Sequence, residues 1–174
     1  IDYDGDMDLV VGTVNGDLSN YFENTGNKTH AKYQRKEGLG FNPFQNVVDV
    51  GNYSAPAFVD IDHDGDMDLV VGNQDGNLNN FYENTGNKTH ANFVRREGAA
   101  VNPFELVADV GAYSAPAFID IDNDGIMDLV VGNQDGDPSF YRGAESLCHD
   151  FHAEIVLVRD ETRELSPQGH ILDF

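Results

Sequence analysis

Residues 60–68 combine side chains that could hold a hard cation. They read DIDHDGDMD, with carboxylates at the first, third, fifth and ninth positions and glycine at the sixth. In such a loop alternate side chains point inward, the glycine permits a sharp turn, and the seventh residue can offer its backbone carbonyl. Calcium accepts six to eight oxygens in a flexible geometry, so this spacing suits calcium better than magnesium. The alternative is an acidic surface turn without metal, in which the carboxylates would repel one another.

The same pattern occurs three times in the chain. Asp2, Asp62 and Asp122 are spaced by 60 residues (62 − 2 and 122 − 62), so the motif belongs to an internal repeat, which favours metal loops over chance acidic turns. The last copy has isoleucine at the seventh position, as expected if that residue binds through its backbone carbonyl. The acidic side chains of Asp6 and Asp66 are therefore the weakest assignments. The predicted metal-binding residues are Asp2, Asp4, Asp6 and Asp8; Asp60, Asp62, Asp64, Asp66 and Asp68; and Asp120, Asp122, Asp124, Ile126 and Asp128.

Length and charge limit the class of protein. The 174 residues are enough to bury a core as one domain. A formal net charge of −21 argues against nucleic acid or an anionic membrane as partner. No apolar run approaches the roughly 20 residues that span a bilayer, so we expect no membrane insertion. The single cysteine, Cys148, excludes an intrachain disulfide. The leading ligand of the first loop would lie before Ile1, so we expect a truncated or processed N-terminus.

Each repeat carries the signals of β-strands. Ala57, Val59 and Ile61 alternate with Phe58 and Asp60, as in an extended chain with two distinct faces. The following Leu-Val-Val run predicts a strand covered on both faces. An Asn-Gly or Asp-Gly pair then predicts a two-residue hairpin in each copy.

Two further strands complete the predicted unit. Residues 78–82 would form the returning strand, and Phe104, Leu106, Ala108 and Val110, which recur at every second position, a fourth. Four short antiparallel strands per repeat describe a propeller blade. We therefore predict an all-β fold of propeller blades. About three blades are present whereas propellers typically close with four to eight, so an incomplete or open propeller is expected.

The blades are predicted to span residues 1–141, and residues 142–174 form a divergent tail. The motif Glu-Asn-Thr-Gly of the earlier copies is replaced in this tail. Residues 153–158 are its best strand candidate and could complete a neighbouring blade. A poorly ordered end is the alternative.

The acidic loop, the Leu-Val-Val-Gly-Asn that follows it, Asp-Gly and Glu-Asn-Thr-Gly together resemble the FG-GAP/VCBS repeat family over roughly residues 1–141. That resemblance implies calcium-binding propeller blades like those of integrin alpha-subunit heads and many secreted proteins, with a calcium loop between the first and second strands. Carried over by position, the implied side-chain ligands are the first, third, fifth and ninth residues of each loop. An EF-hand also begins Asp-x-Asp-x-Asp-Gly, but it needs glutamate at the twelfth position, which here is Val71 or Val131.

Other motifs are weaker. Asn27, Asn52 and Asn87 open Asn-x-Ser/Thr sequons and are predicted glycan acceptors in a secreted eukaryotic protein, the alternative being chance sequons in an Asn-rich repeat. No arrangement for catalysis stands out, because catalysis would need a singular site and these aspartates are repeated. We therefore expect a protein that is not an enzyme.

These features predict a calcium-stabilised extracellular or cell-surface module for binding or adhesion, with Ca²⁺ as its cofactor. Its partner would be a protein or carbohydrate ligand, or further blades or copies of itself. Two alternatives remain: a subunit of an open filamentous assembly, and a non-catalytic part of a carbohydrate-active enzyme. The blade framework does not name the ligand.

Overall fold

The computed structural model describes residues 1–38, 40–47, 49–107 and 109–143, together with a short strand at 158–159. Throughout this part of the chain the regular secondary structure is β, without helix, and the strands form three antiparallel sheets that do not close into a barrel. This confirms the predicted all-β class. The strands are β1 (Leu9–Val11), β2 (Asn20–Asn24), β3 (Tyr33–Lys36), β4 (Ala55–Val59), β5 (Asp68–Gly72), β6 (Asn80–Asn84), β7 (Phe93–Arg96), β8 (Ala115–Ile119), β9 (Asp128–Gly132), β10 (Ser139–Arg142) and β11 (Val158–Arg159).

Each sheet is a meander in which neighbouring strands follow one another along the chain. Sheet 1 has the order β1-β2-β3, sheet 2 the order β4-β5-β6-β7, and sheet 3 the order β8-β9-β10-β11. In sheet 2, Ala55 lies opposite Gly72 and Val59 opposite Asp68. The same register recurs between β8 and β9. Three successive meanders of this kind are consistent with open propeller-like blades.

Sheet 2 is buried on both faces because it lies between the other two sheets. Leu69 and Val71 belong to the apolar cluster shared with sheet 1, which we call the first joint. Val70 belongs to the cluster shared with sheet 3, the second joint. All three side chains are fully buried. The prediction of a strand covered on both faces is confirmed.

The connection that follows β7 forms turns, so the predicted fourth strand is wrong. Phe104, Val107 and Val110 are buried, whereas Leu106 is 82% exposed. The N–H of Val107 donates to the carbonyl of Phe104 at 3.1 Å. This turn brings Phe104 and Val107 to the same side, and together with Val110 they fill the second joint. Ala108 lies outside the described residues, and the fourth strand of the blade is β7.

The third strand of the blade, β6, starts two residues later than the predicted segment 78–82. Residues 73–79 connect β5 to β6, so the predicted two-residue hairpin is also wrong. The Asp-Gly pair does form a turn within this connection, where Gly76 has a φ of +80°. Leu78 is fully buried in the second joint and holds the connection against the core.

Successive sheets approach each other closely at one glycine per repeat. A Cβ added to Gly72 would lie 2.2 Å from the carbonyl oxygen of Ser114 at the start of the next sheet. The hydroxyl of Ser114 accepts a hydrogen bond from the Asn73 N–H at 2.9 Å. Gly12 and Ser54 form the equivalent contact in the first joint. Because the same glycine–serine contact occurs in both joints, the two pairs of neighbouring sheets approach each other in the same way.

The end of the described chain completes sheet 3. β11 pairs antiparallel with β10, with Arg159 opposite Tyr141 and Val158 opposite Arg142. The strand predicted over 153–158 overlaps β11 at Val158 only, and residues 153–157 lie outside the described residues, as does most of the tail. The boundary at residue 141 stays a prediction.

Candidate metal centre

The acidic loop of sheet 2 connects β4 to β5 and is shaped by its own carboxylates. The N–H of Gly65 donates to Asp60 Oδ2 at 3.1 Å, and that of Asp64 donates to Asp62 Oδ1 at 3.2 Å. His63 and Gly65 adopt left-handed backbone conformations, with φ of +59° and +93°. Glycine suits such a conformation because it has no Cβ to clash with the backbone. The sharp turn predicted from the sixth position is present.

This turn brings the first, third and fifth carboxylates together. One oxygen from each of Asp60, Asp62 and Asp64 lies within 4.8 Å of the others. The loop between β8 and β9 repeats the group with Asp120, Asp122 and Asp124. The repeated motif predicts such a carboxylate group in each loop, and the second and third loops contain it at equivalent positions.

The chemistry of the second loop fits calcium. Its ligand atoms are hard carboxylate oxygens, which calcium prefers. In addition, the Oδ1 atoms of Asp60 and Asp66 are buried and have no hydrogen-bond partner. A buried oxygen without a partner is costly, and a bound cation would satisfy it. Asp60, Asp62 and Asp64 are therefore the residues that would hold the ion.

The aspartate at the ninth position has a structural role that the spacing did not reveal. Asp68 accepts two backbone hydrogen bonds, from the Ile61 N–H at 3.1 Å and from the Asn84 N–H at 2.8 Å. It thereby ties the start of the loop to the end of β6. Asp128 accepts the equivalent pair of bonds, and Asp8 bonds the Asn24 N–H at 2.8 Å. Direct metal binding by this position stays a prediction.

The seventh position differs between copies in the way that backbone ligation would allow. Asp66 is buried, and Asp6 likewise carries a buried Oδ1 without a hydrogen-bond partner. Ile126 instead packs against the apolar cluster of the second joint. Both kinds of side chain fit beside the loop, so acidity at this position is not needed for the turn. Metal binding by these residues stays a prediction.

Sequence reasoning missed the buried asparagine that ends β2 in sheet 1 and β6 in sheet 2. Asn84 Oδ1 accepts hydrogen bonds from the N–H groups of Gly86 and Asn92, at 3.1 and 2.8 Å. Its own N–H bonds Asp68. Asn24 makes the equivalent bonds in sheet 1. The recurring Glu-Asn-Thr-Gly motif was the signal, because its asparagine joins the β6–β7 hairpin to the acidic loop.

The first and third loops each differ from the second. In the first loop Asp2 and Asp4 cap the turn as in the other copies, with bonds of 3.2 and 3.1 Å to the following N–H groups. These two carboxylates are the counterparts of Asp62 and Asp64, and the leading aspartate has no counterpart within residues 1–174. In the third loop Arg142 forms an ion pair with Asp122. That pair would compete with a cation for the Asp122 carboxylate.

The pKa values of several loop carboxyls are raised. Burial raises the pKa of Asp68 to about 7, although its two backbone hydrogen bonds act in the opposite direction. Burial and then the Asp64 carboxylate raise the pKa of Asp66. Burial also raises the pKa of Asp62. The folded loop therefore holds protons more tightly than isolated aspartates do, unless a cation neutralises it.

This charge arrangement predicts a pH-dependent response to calcium. Calcium binds deprotonated carboxylates, so the rise in melting temperature that it causes should be larger at about pH 8 than at about pH 5.5. Without metal, the stability of the protein should fall as the pH rises. The pKa of Asp68 in the folded protein lies above its ordinary value, so the stability that comes from its tighter proton binding is lost as the pH rises through about 7. Thermal unfolding in calcium and in chelator at both pH values measures the difference. A calcium shift that is equal at both would contradict the prediction.

The sequon asparagines lie on the surface. Asn27 and Asn87 sit in the exposed hairpins between β2 and β3 and between β6 and β7. Thr29 donates its hydroxyl to Asn27 Oδ1 at 2.9 Å, and Thr89 does the same to Asn87 at 2.8 Å. Asn52, just before β4, is also exposed. Glycosylation at the three sites stays a prediction.

Fold and site together define a class of protein. Antiparallel meanders that carry acidic loops between their first and second strands, in sheets 2 and 3, are repeat units of a propeller-like protein. A family model described as FG-GAP-like repeat matches residues 1–71 and again residues 60–131. The chain therefore belongs to the FG-GAP-like repeat family, as its motifs suggested. Searches of curated proteins and of solved structures returned no significant match.

Among the described residues there is no helix of the length and apolarity that crossing a membrane requires.

Proposed function

We propose that this chain is a calcium-stabilised module of an extracellular protein, and that it contributes a binding or adhesion surface to that protein. The observation that carries the proposal is the pair of three-carboxylate groups at equivalent places in successive repeats. Membership of the FG-GAP-like family supports a repeat module of the kind often found in extracellular binding proteins. The partner would be a protein or carbohydrate ligand.

Calcium would act on stability by neutralising charge in the acidic loops. Each loop places several carboxylates beside a strand of the core, and the chain carries a formal net charge of −21. A bound cation offsets the repulsion between these carboxylates and holds the two strands that the loop connects. A ligand that binds only the folded state stabilises that state by mass action.

Chelation is expected to lower the melting temperature, and added calcium to restore it. Extracellular calcium modules bind at about 0.1–1 mM, so about 10 mM calcium would add about 1.4–2.7 kcal/mol per site. For a chain of this size that corresponds to about 3–10 °C per site. Differential scanning calorimetry with excess chelator, then with calcium, measures the shift, and isothermal titration gives the stoichiometry.

Matched variants separate the loops from general charge effects. Asp62→Asn and Asp122→Asn each remove one carboxylate from a group and should reduce the calcium shift. Asp75→Asn and Asp135→Asn each remove one carboxylate from an exposed turn outside the loops and should leave the shift unchanged. An unchanged melting temperature in excess chelator would refute calcium stabilisation.

A subunit of an open assembly is a second candidate, favoured by the apolar outer faces of the row of sheets. Leu9 and Val11 on sheet 1 are 41% and 40% exposed, whereas their equivalents in sheet 2 are fully buried. Ile119 on sheet 3 is 53% exposed, whereas its equivalent Val59 is 2% exposed. The two outer faces correspond to the two sides of one joint, so copies could stack head to tail. Light scattering over a range of concentrations distinguishes such an assembly from a monomer.

We assign no catalysis to these blades. The alternative, that they form the non-catalytic part of a carbohydrate-active enzyme, is tested by a polysaccharide cleavage screen of the full-length protein.

A further inference from the structure

The second and third acidic loops differ in charge. Residues 60–68 contain five aspartates and residues 120–128 contain four, because isoleucine replaces aspartate at the seventh position of the third loop. The strands β6 and β10, which pair with the strand after each loop, also differ where they end. β6 ends in Glu83 and Asn84, whereas β10 ends in Arg142, which Gly143 follows.

Strand pairing makes Glu83 and Arg142 equivalent positions. The tyrosine before each of them lies opposite the leucine of its own Leu-Val-Val strand, so β6 and β10 have the same register. Sheet 2 thus has a negative residue at a place where sheet 3 has a positive one.

Arg142 supplies a positive charge to the third loop. Its guanidinium forms an ion pair with Asp122, which carries the third-position carboxylate. In sheet 2 the equivalent Glu83 forms its ion pair with Arg96 of β7, at 2.8 Å. Among the residues that the structure describes, no lysine or arginine forms an ion pair with a carboxylate of the second loop. Only the third of these two loops is therefore neutralised in part by its own chain.

The seventh position differs in its surroundings as well as in its charge. Asp66 is 7% exposed, and its buried Oδ1 has no hydrogen-bond partner among the described residues. A cation beside this oxygen would compensate the cost of burying it. Ile126 instead packs against the second joint, and a Cβ added to Gly143 would lie 2.8 Å from its Cγ2. In the third loop an apolar side chain thus fills the space that the second loop gives to a carboxylate.

We propose that Asp66 and Arg142 set different calcium affinities for the two loops, so that the second loop is the tight site and the third the weak one. This inference rests on the proposed calcium function. Calcium affinity depends on the number of charges around the ion, and Asp66 adds one to the second loop. In the third loop calcium must displace the Arg142 guanidinium before it can bind the Asp122 carboxylate, and the two cations repel each other. Both differences weaken the third site, and we expect its dissociation constant to be at least about tenfold higher.

The first test measures the two sites separately in the 174-residue chain. Asp122→Asn weakens the third loop and leaves the second intact, and Asp62→Asn does the reverse, so the two variants lose the same group. Isothermal titration with calcium gives the dissociation constant of the remaining loop, and the double variant gives the background. Equal affinities, or a tighter third loop, would overturn the ranking and leave the proposed function standing. An unmodified chain that binds no calcium would overturn both.

The second test reverses the charge of Arg142 in the Asp62→Asn variant. Arg142→Glu introduces the residue that sheet 2 has at this place, and the third loop should then bind calcium at least about tenfold more tightly. In excess chelator the same change should lower the melting temperature, because the loop loses its counter-ion. A residue needed only for the fold would not produce these opposite effects. Unchanged affinity of the third loop would refute the role of Arg142.

The matched control for this charge reversal is Arg35→Glu. Arg35 lies on β3, its side chain is 48% exposed compared with 51% for Arg142, and its ion pair is with Glu37 outside the loops. Calcium affinity should stay within about twofold of the parent. An effect as large as that of Arg142→Glu would attribute the change to net charge and overturn the local assignment.

The third test removes the charge of Asp66 and keeps its size. In the Asp122→Asn variant, Asp66→Asn should weaken calcium binding by the second loop at least about tenfold. Asp75→Asn removes an exposed carboxylate from a turn of the same sheet and should leave that affinity unchanged. Circular dichroism in chelator verifies that both variants fold. Equal affinities for the two would exclude Asp66 as the residue that distinguishes the loops.

Discussion

Phe104→Ala is expected to lower the free energy of unfolding by about 3–5 kcal/mol. The side chain is fully buried in the second joint. Its ring lies 5.5 Å from that of Phe81 and 5.8 Å from that of Phe118, measured between centroids, so it bridges sheets 2 and 3. Truncation would remove both contacts and leave a cavity that rigid sheets cannot close. Urea unfolding followed by circular dichroism measures the loss.

The matched control is Leu106→Ala, two residues along the same connection. Leu106 is 82% exposed, so its truncation should change the free energy of unfolding by no more than about 0.5 kcal/mol. An alternating strand would place Phe104 and Leu106 on the same face, and both variants would then lose comparable stability. Similar losses would contradict the turn conformation and support the strand.

Gly72→Ala is expected to destabilise the protein by about 3 kcal/mol through overpacking. The added methyl group would lie 2.2 Å from the Ser114 carbonyl oxygen and 2.7 Å from the Pro116 ring. Neither is the flexible end of a side chain, so sheets 2 and 3 would have to move apart. For a chain of this size the melting temperature should fall by about 6–12 °C. Differential scanning calorimetry measures it.

The repeat again offers a control. Gly132 occupies the same position in sheet 3, where the nearest atom to an added Cβ, the Ala115 carbonyl oxygen, is 3.9 Å away. Gly132→Ala should therefore leave the melting temperature within a few degrees of the parent, because alanine costs no steric clash there. If both glycine variants unfolded at the same temperature, close packing between sheets would not explain the regular 60-residue spacing of this chain's repeats.

The packing of the sheets at the joints also places the acidic loops at equivalent positions in neighbouring sheets. The second and third loops each start where the first strand of their sheet ends and close where the second strand begins, so their positions follow from the stacking of the sheets. A variant that moves one sheet would therefore move its loop as well. Gly72→Ala is expected to weaken calcium binding in addition to lowering stability.

Many features of the fold and of the acidic loops can be predicted from local sequence. Patterns in the sequence predict the 60-residue repeat and the all-β class. They also predict the Leu-Val-Val strand that is covered on both faces and the turn of the acidic loops. Alternation defines a strand because side chains alternate between two faces. Glycine at the sixth loop position marks a left-handed backbone for the same local reason. Such features need no knowledge of distant residues.

Other features depended on the tertiary structure. Phe104, Leu106, Ala108 and Val110 are compatible with a strand by parity, and only the space between two sheets selects a conformation that buries Phe104, Val107 and Val110 instead. Asp68 reads as a ligand by its spacing, yet its partners include Asn84, sixteen residues away. Local sequence determines which conformations each segment prefers, and contacts between distant segments decide which side chains meet, because packing and hydrogen bonding act across space rather than along the chain.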